Sequence, residues 1–147
     1  MIIRRTLALA AMILAAHSIA GDAAKDTRCY ELRIYHANEG KLDALNARFR
    51  DHTVKLFEKH GITNVGYWIP VQSDSELGID ASDTFIYIRG YPSKAERDKR
   101  LKAAHDDPEF AEVVTKQERD PNTKLIIKAH NIDMVPSGSY TAIKIAP

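Results

Sequence analysis

The sequence predicts an α+β fold in which one antiparallel sheet carries two helices on a single face. Three observations predict it. Four segments of alternating or β-branched composition, 29–36, 63–71, 84–91 and 122–135, read as strands. Amphipathic segments, one continuous and one in two pieces, fill the gaps after the first and third of them. The resulting order, strand, helix, strand, taken twice, is that of a ferredoxin-like βαββαβ sandwich.

Residues 1–20 stand apart from that domain. "MIIRR" is a short cationic start, "TLALAAMILAA" is an apolar run of secretory length, and "SIA" at 18–20 supplies the small residues that a signal peptidase requires before Gly21. The expectation is a signal peptide cleaved after Ala20 and an exported protein, periplasmic or extracellular. The apolar run is shorter than the roughly 20 residues of a spanning helix, so no membrane span is expected after cleavage. The full chain of 147 residues has 21 basic and 20 acidic side chains; cleavage would remove Arg4 and Arg5 and leave 19 basic against 20 acidic ones. That balance gives no reason to expect nucleic acid as a partner. Cys29 is the only cysteine, which excludes an intrachain disulfide and a cysteine-based zinc site.

Each element has a local reason. "GDAAKDTR", 21–28, is small, polar and aperiodic, and reads as a flexible lead-in. In "CYELRIYH", Tyr30, Leu32 and Ile34 fall on one side and Glu31, Arg33 and Tyr35 on the other, so the strand has one apolar face. Asn38 can cap the first helix and Glu39 suits its positive end. Leu42, Leu45, Phe49 and Leu56 then recur at helical spacing until Gly61 supplies a stop. "TNVGYWIPV" follows as a strand, with Pro70 marking an edge or an end, and 72–83 is a polar loop. After "TFIYIRGY", the box from Ser93 to Glu96 opens a helix over about 94–104. Helix restarts at Pro108 with Asp107 as cap, and this piece is expected to bury Phe110, Val113 and Val114. The domain closes with the strand in 122–135, so it spans 29–135. Residues 136–147, including "SYTAIKIAP", are expected as a C-terminal strand or extension.

With both helices on one face, the other sheet face is left uncovered. Tyr35, Trp68 and residues of the third strand are available to it, an aromatic patch of the kind that marks an interface. Two such sheets packed face to face would close a dimeric α+β barrel with two-fold symmetry, so a homodimer is expected.

The segments "YELRIY", "EGKLDALNARFRDHTVKLFEKHGI", "VGYW", "FIYIRGYPSKAERDKR" and "DDPEF", in that order, resemble the NIPSNAP family from about Cys29 to about Val135. The resemblance implies a domain of the dimeric α+β barrel group and dimerisation. It implies no particular reaction, since the family has none in common, and related barrels include cofactor-free monooxygenases and haem-degrading enzymes.

The chemistry is sought between helix and sheet. Leu45, Phe49, His52 and Leu56 are spaced four, three and four, which places His52 in the apolar stripe facing the sheet. A histidine there can move a proton near neutral pH or ligate a metal or haem iron; alternatively it is a half-buried residue held by a hydrogen bond. Tyr30, His52, Tyr67, Trp68 and Arg89 are the expected ligand contacts, and His52 and Tyr87 the candidate catalytic groups. Arg89 can bind a carboxylate bidentately or pair with Glu31, and Tyr87 can pack in a dimer core instead. Glu31 and Arg33 are expected as interface or barrel-interior charges with partners across the dimer.

His36, His52, His60, His105 and His130 show no HxH or i,i+4 helical pairing, so no metal site is expected, and no cofactor. Neither a phosphate-binding glycine loop nor a GxSxG elbow is present. Three readings follow. The first is a homodimer binding a small apolar or aromatic molecule between helix and sheet. The others are a cofactor-independent monooxygenase-like or haem-handling enzyme, and a protein-interaction module using the uncovered face.

Overall fold

The structure, a computed structural model, describes residues 26–138. The expected signal peptide at 1–20 and the strand expected in "SYTAIKIAP" lie outside the described residues. β1 (Cys29–Ala37), β2 (Thr63–Trp68), β3 (Thr84–Tyr91) and β4 (Ile126–Met134) form one antiparallel sheet in the order β2-β3-β1-β4. β2 ends before Pro70, which has no N–H to give the ladder. β4 begins later than expected because Asp120 holds a turn there, its side chain accepting from Asn122 N (2.9 Å) and its carbonyl from Lys124 N (2.8 Å).

The first helix runs through Leu42–Arg48 and Val54–Lys59, with a π-helical turn, Phe49–Thr53, between them. Asn38 does not cap it. The Asn38 amide instead donates to the Lys124 carbonyl (2.7 Å), tying the helix approach to the lead into β4. Gly61 ends the helix at φ +71, a left-handed position that suits glycine, and the Arg100 guanidinium donates to its carbonyl.

The second helix, Lys94–His105, is capped by Ser93 Oγ, which accepts from Glu96 N (3.2 Å), while the Glu96 carboxylate turns to Arg100 (3.0 Å). The third helix consists of Pro108–Phe110, a π turn at Ala111–Thr115, and Lys116–Arg119. Its cap, Asp107, accepts from Glu109 N (2.9 Å) and also receives Lys59 (2.7 Å) and His60 (2.8 Å). The end of the first helix is thereby clipped to the start of the third. Lys59, His60 and the Glu109 N–H together hold the Asp107 carboxyl far below the usual carboxylate range.

The π turn decides which side of the first helix faces the sheet. It takes one more residue than an α turn, so the buried stripe runs Leu45, Phe49, Thr53, Leu56 and Phe57. Phe49 is its centre, with ring centroids at 4.7 Å from Phe85, 5.0 Å from Tyr87, 5.7 Å from Tyr67 and 6.1 Å from Tyr35. Truncating such a ring costs about 3–5 kcal/mol. Phe110, Val113 and Val114 of the third helix are only half-buried.

Those ring contacts also identify the covered sheet face, and it is the polar one. Glu31, Arg33 and Tyr35 of β1 share it with Phe85, Tyr87, Arg89 and Tyr91 of β3. Tyr35, expected on the uncovered face, lies under the first helix. The aliphatic row Leu32 and Ile34, with Ile86, Ile88 and Ile132 across the ladders, points away from the helices. Trp68 and Ile132 are about half exposed there, at 48% and 49%.

Candidate functional site

A cavity of about 280 Å³ lies between the covered sheet face and the first and third helices. Its floor is Arg33, Tyr35, Tyr87 and Arg89. Phe49, Thr53 and Phe57 enter from the first helix, and Phe110 and Val114 from the third. Both π turns therefore border it, a placement such turns often take at functional sites. An apolar cavity of about 150 Å³ holds one benzene, so this one has room for a ring with substituents.

The polar lining is built from pairs far apart in sequence. Arg89 Nε donates to Glu31 Oε2 (2.5 Å), and the Tyr91 hydroxyl donates to the same oxygen (2.9 Å). Both partners in that ion pair are under 10% exposed. Glu31 thus finds its partner inside the chain, not across a dimer. Arg48 reaches from the first helix to Glu118 (2.5 Å) and Gln117 (2.9 Å) on the third.

Arg33 differs from the other two guanidiniums. It donates to the Tyr35 hydroxyl (3.3 Å), and among the described residues no carboxylate lies within ion-pair distance of it. Tyr87 donates to the same Tyr35 oxygen (2.9 Å). Burial, reinforced by Tyr35, pushes the Tyr87 phenol well above its ordinary range, so it stays protonated. Among the described residues, three buried side-chain polar atoms have no hydrogen-bond partner: Arg33 Nε, Arg48 Nε and Thr53 Oγ1. All three residues line the cavity. His105 stands at its mouth, its ring tilted against Phe110 (centroids 4.8 Å apart), where burial and then the charges of Arg89 and Arg33 lower its imidazole pKa.

The expected site residues divide between several places. Tyr87 and Arg89 are in the cavity. Tyr67 is on the covered face but turns its hydroxyl to Asn64 (2.5 Å), and borders a smaller hollow with Phe49 and Phe85. Burial raises its phenol pKa as well. Tyr30 and Trp68 occupy the uncovered face, by their register with Gly90 and Ile86. His52 is turned off the stripe by the π turn. Its side chain is 43% exposed, 3.4 Å from Glu109, in a groove between the first and third helices.

Arg33, Tyr35, Arg48, Thr53 and His105 were not expected here. One signal pointed to the first two: the alternation that puts Glu31 with Arg33 and Tyr35 also puts Arg89 with Tyr87, and Glu31 and Arg89 are complementary charges. Reading those two stripes as facing one another would have placed Arg33 and Tyr35 beside Tyr87. Among the described residues no group of three or more His, Cys, Asp or Glu side chains could hold a metal ion, and no helix is long and apolar enough to cross a membrane.

The NIPSNAP family profile matches residues 30–131. No curated protein matches the chain. Among solved structures, a NIPSNAP-like domain protein from Burkholderia xenovorans is 17% identical and superposes with a TM-score of 0.63 over 83% of this chain and 97% of its own. Protein Atu4242 from Agrobacterium tumefaciens is 24% identical, with a TM-score of 0.60 over 75% and 94%. A Bacteroides thetaiotaomicron protein provisionally assigned as an antibiotic biosynthesis monooxygenase is 13% identical, with a TM-score of 0.51 over 80% and 97%. At these identities the likeness is one of fold.

Proposed function

The chain belongs to the NIPSNAP family, and we propose that it is an exported homodimer that binds a small aromatic acid in the cavity between helices and sheet. The observation that carries the ligand reading is the set of unpartnered buried atoms, Arg33 Nε, Arg48 Nε and Thr53 Oγ1, on the lining of a cavity with aromatic walls. Two of these can only donate, and a buried donor left without a partner is costly. A ligand oxygen removes that cost. Arg33 further adds a cation that no carboxylate of the described chain offsets, so the oxygen belongs to an anion. The ring of the ligand packs against Phe49, Phe57 and Phe110.

The homodimer reading is supported by the uncovered aliphatic face, which a second copy would bury by two-fold packing. Export rests on the three-part pattern of residues 1–20.

Equilibrium dialysis with benzoate and 1-naphthoate against benzamide and 1-naphthamide tests the ligand class. A charge-assisted hydrogen bond adds about 1.5–3 kcal/mol, so each acid is expected to bind at least about tenfold more tightly than its amide. Arg33→Met should erase the difference and leave the fold intact. Equal binding of acid and amide, or binding of neither, would sink the proposal.

An enzymatic reading is favoured by one observation, the place of His105 at the cavity mouth against Phe110, where burial lowers its imidazole pKa. There His105, not His52, would be the proton-accepting group. Turnover of an aromatic substrate that survives His105→Gln unchanged would remove it from that role.

A further inference from the structure

We propose that Tyr35 is a ligand contact that can only donate a hydrogen bond, and that it selects aryl 2-oxo acids, in which a ketone oxygen stands next to the carboxylate. The inference rests on the aromatic-acid reading of the cavity and deepens it.

A phenol oxygen accepts at two positions and donates from one. Both accepting positions of Tyr35 are filled. Arg33 Nη2 lies 3.3 Å away, and a guanidinium has nothing to accept with. Tyr87 lies 2.9 Å away. The direction of that bond follows from burial, because Tyr87 is 1% exposed and Tyr35 is the partner of its hydroxyl. Were Tyr35 the donor, the Tyr87 proton would be buried with no acceptor, the costly arrangement.

Tyr87 therefore donates, and the proton of Tyr35 is left over. Tyr35 lines the cavity, so the cavity is where that proton finds an acceptor. Accepting two bonds, one of them from a cation, also strengthens the bond it gives. The Arg33 and Tyr35 head groups touch, so the oxygens they hold on a ligand must be neighbours. A carboxylate beside a ketone meets that requirement. A carboxylate beside an ammonium does not, since the ammonium offers only protons.

The test is calorimetric titration of the full chain with four ligands of nearly equal size: phenylglyoxylate, mandelate, phenylacetate and phenylglycine. Phenylglyoxylate is expected to bind about tenfold more tightly than phenylacetate, the worth of one hydrogen bond, with mandelate between them and phenylglycine weakest. Tyr35→Phe should erase the gap between phenylglyoxylate and phenylacetate, read as the ratio of the two affinities in the same variant. Tyr87→Phe should act differently: it frees one accepting position on Tyr35, so phenylglycine should gain relative to phenylacetate. A purely structural Tyr35 would give neither change.

If phenylacetate binds to the unaltered protein but phenylglyoxylate gains nothing over it, this inference is overturned and the aromatic-acid reading stands. Binding of none of the four would overturn both. A gap that persists in Tyr35→Phe assigns the ketone to another donor and also overturns the inference.

Discussion

The two faces of the sheet are built to opposite rules. The face under the helices carries Glu31, Arg33, Tyr35, Tyr87, Arg89 and Tyr91, while the face without helices carries Leu32, Ile34, Ile86, Ile88 and Ile132. In a sheet with one wet side the aliphatic row would be expected inside. Here the interior face is a polar and aromatic layer tied into a network, which leaves a cavity with donor groups on its wall. The aliphatic row outside is the surface that the proposed homodimer would cover with a second sheet.

The largest effect is expected from a cut in the covered face. Glu31→Ala leaves the Arg89 guanidinium, 9% exposed, without its carboxylate, and should destabilise the fold by about 3–5 kcal/mol in urea unfolding. A loss under about 1 kcal/mol would mean that the network does not hold the interior together.

The uncovered face is tested by Leu32→Glu, at the centre of the row between Ile88 and Ile132. A charge there should weaken self-association by about 100-fold, read by size exclusion with light scattering, and leave ligand affinity in place. If the unaltered protein is monomeric, or if the dimer survives the substitution, this face is not the dimer interface.

Asp107 sharpens the picture at the rim, where two helix ends meet. Its carboxyl is held low in the folded state, so the stabilisation it gives is present above the ordinary carboxylate pKa and is lost as pH falls towards the depressed value. Asp107→Asn keeps a capping oxygen and removes the charge, and should flatten the decline in stability between about pH 5 and pH 2. An unchanged decline would show that other carboxylates govern acid unfolding.

The smallest effect belongs to His52. Half exposed and paired loosely with Glu109, it should tolerate His52→Ala within about 0.5 kcal/mol, with phenylacetate affinity unaltered by calorimetry. A loss of binding would return the site to the face of the helix where spacing alone had put it.

His52 and Arg33 show why the site was harder to read than the fold. The spacing Leu45, Phe49, His52, Leu56 assumes an unbroken α period, and a single π turn moved the buried position to Thr53. Arg33 is expected from the sequence as an interface or barrel-interior charge because it lies on the side of β1 opposite Leu32. Only the Tyr35 and Tyr87 hydroxyls beside it explain its place within a core.

Strand and helix order, the cap at Ser93, the restart at Pro108 behind Asp107 and the stop at Gly61 were all decided by the sequence itself. The reason is that each depends on the residues within a turn or two: a side chain that reaches its own helix start, a proline with no N–H, a glycine free to turn left-handed. Alternation along β1 likewise defined two faces and which residues share them. Which face meets the helices was decided only by the tertiary structure. Period two is the same seen from either side, and the choice depends on contacts such as Phe49 with Tyr87 and Glu31 with Arg89, between residues that the chain separates and only the folded sheet brings together.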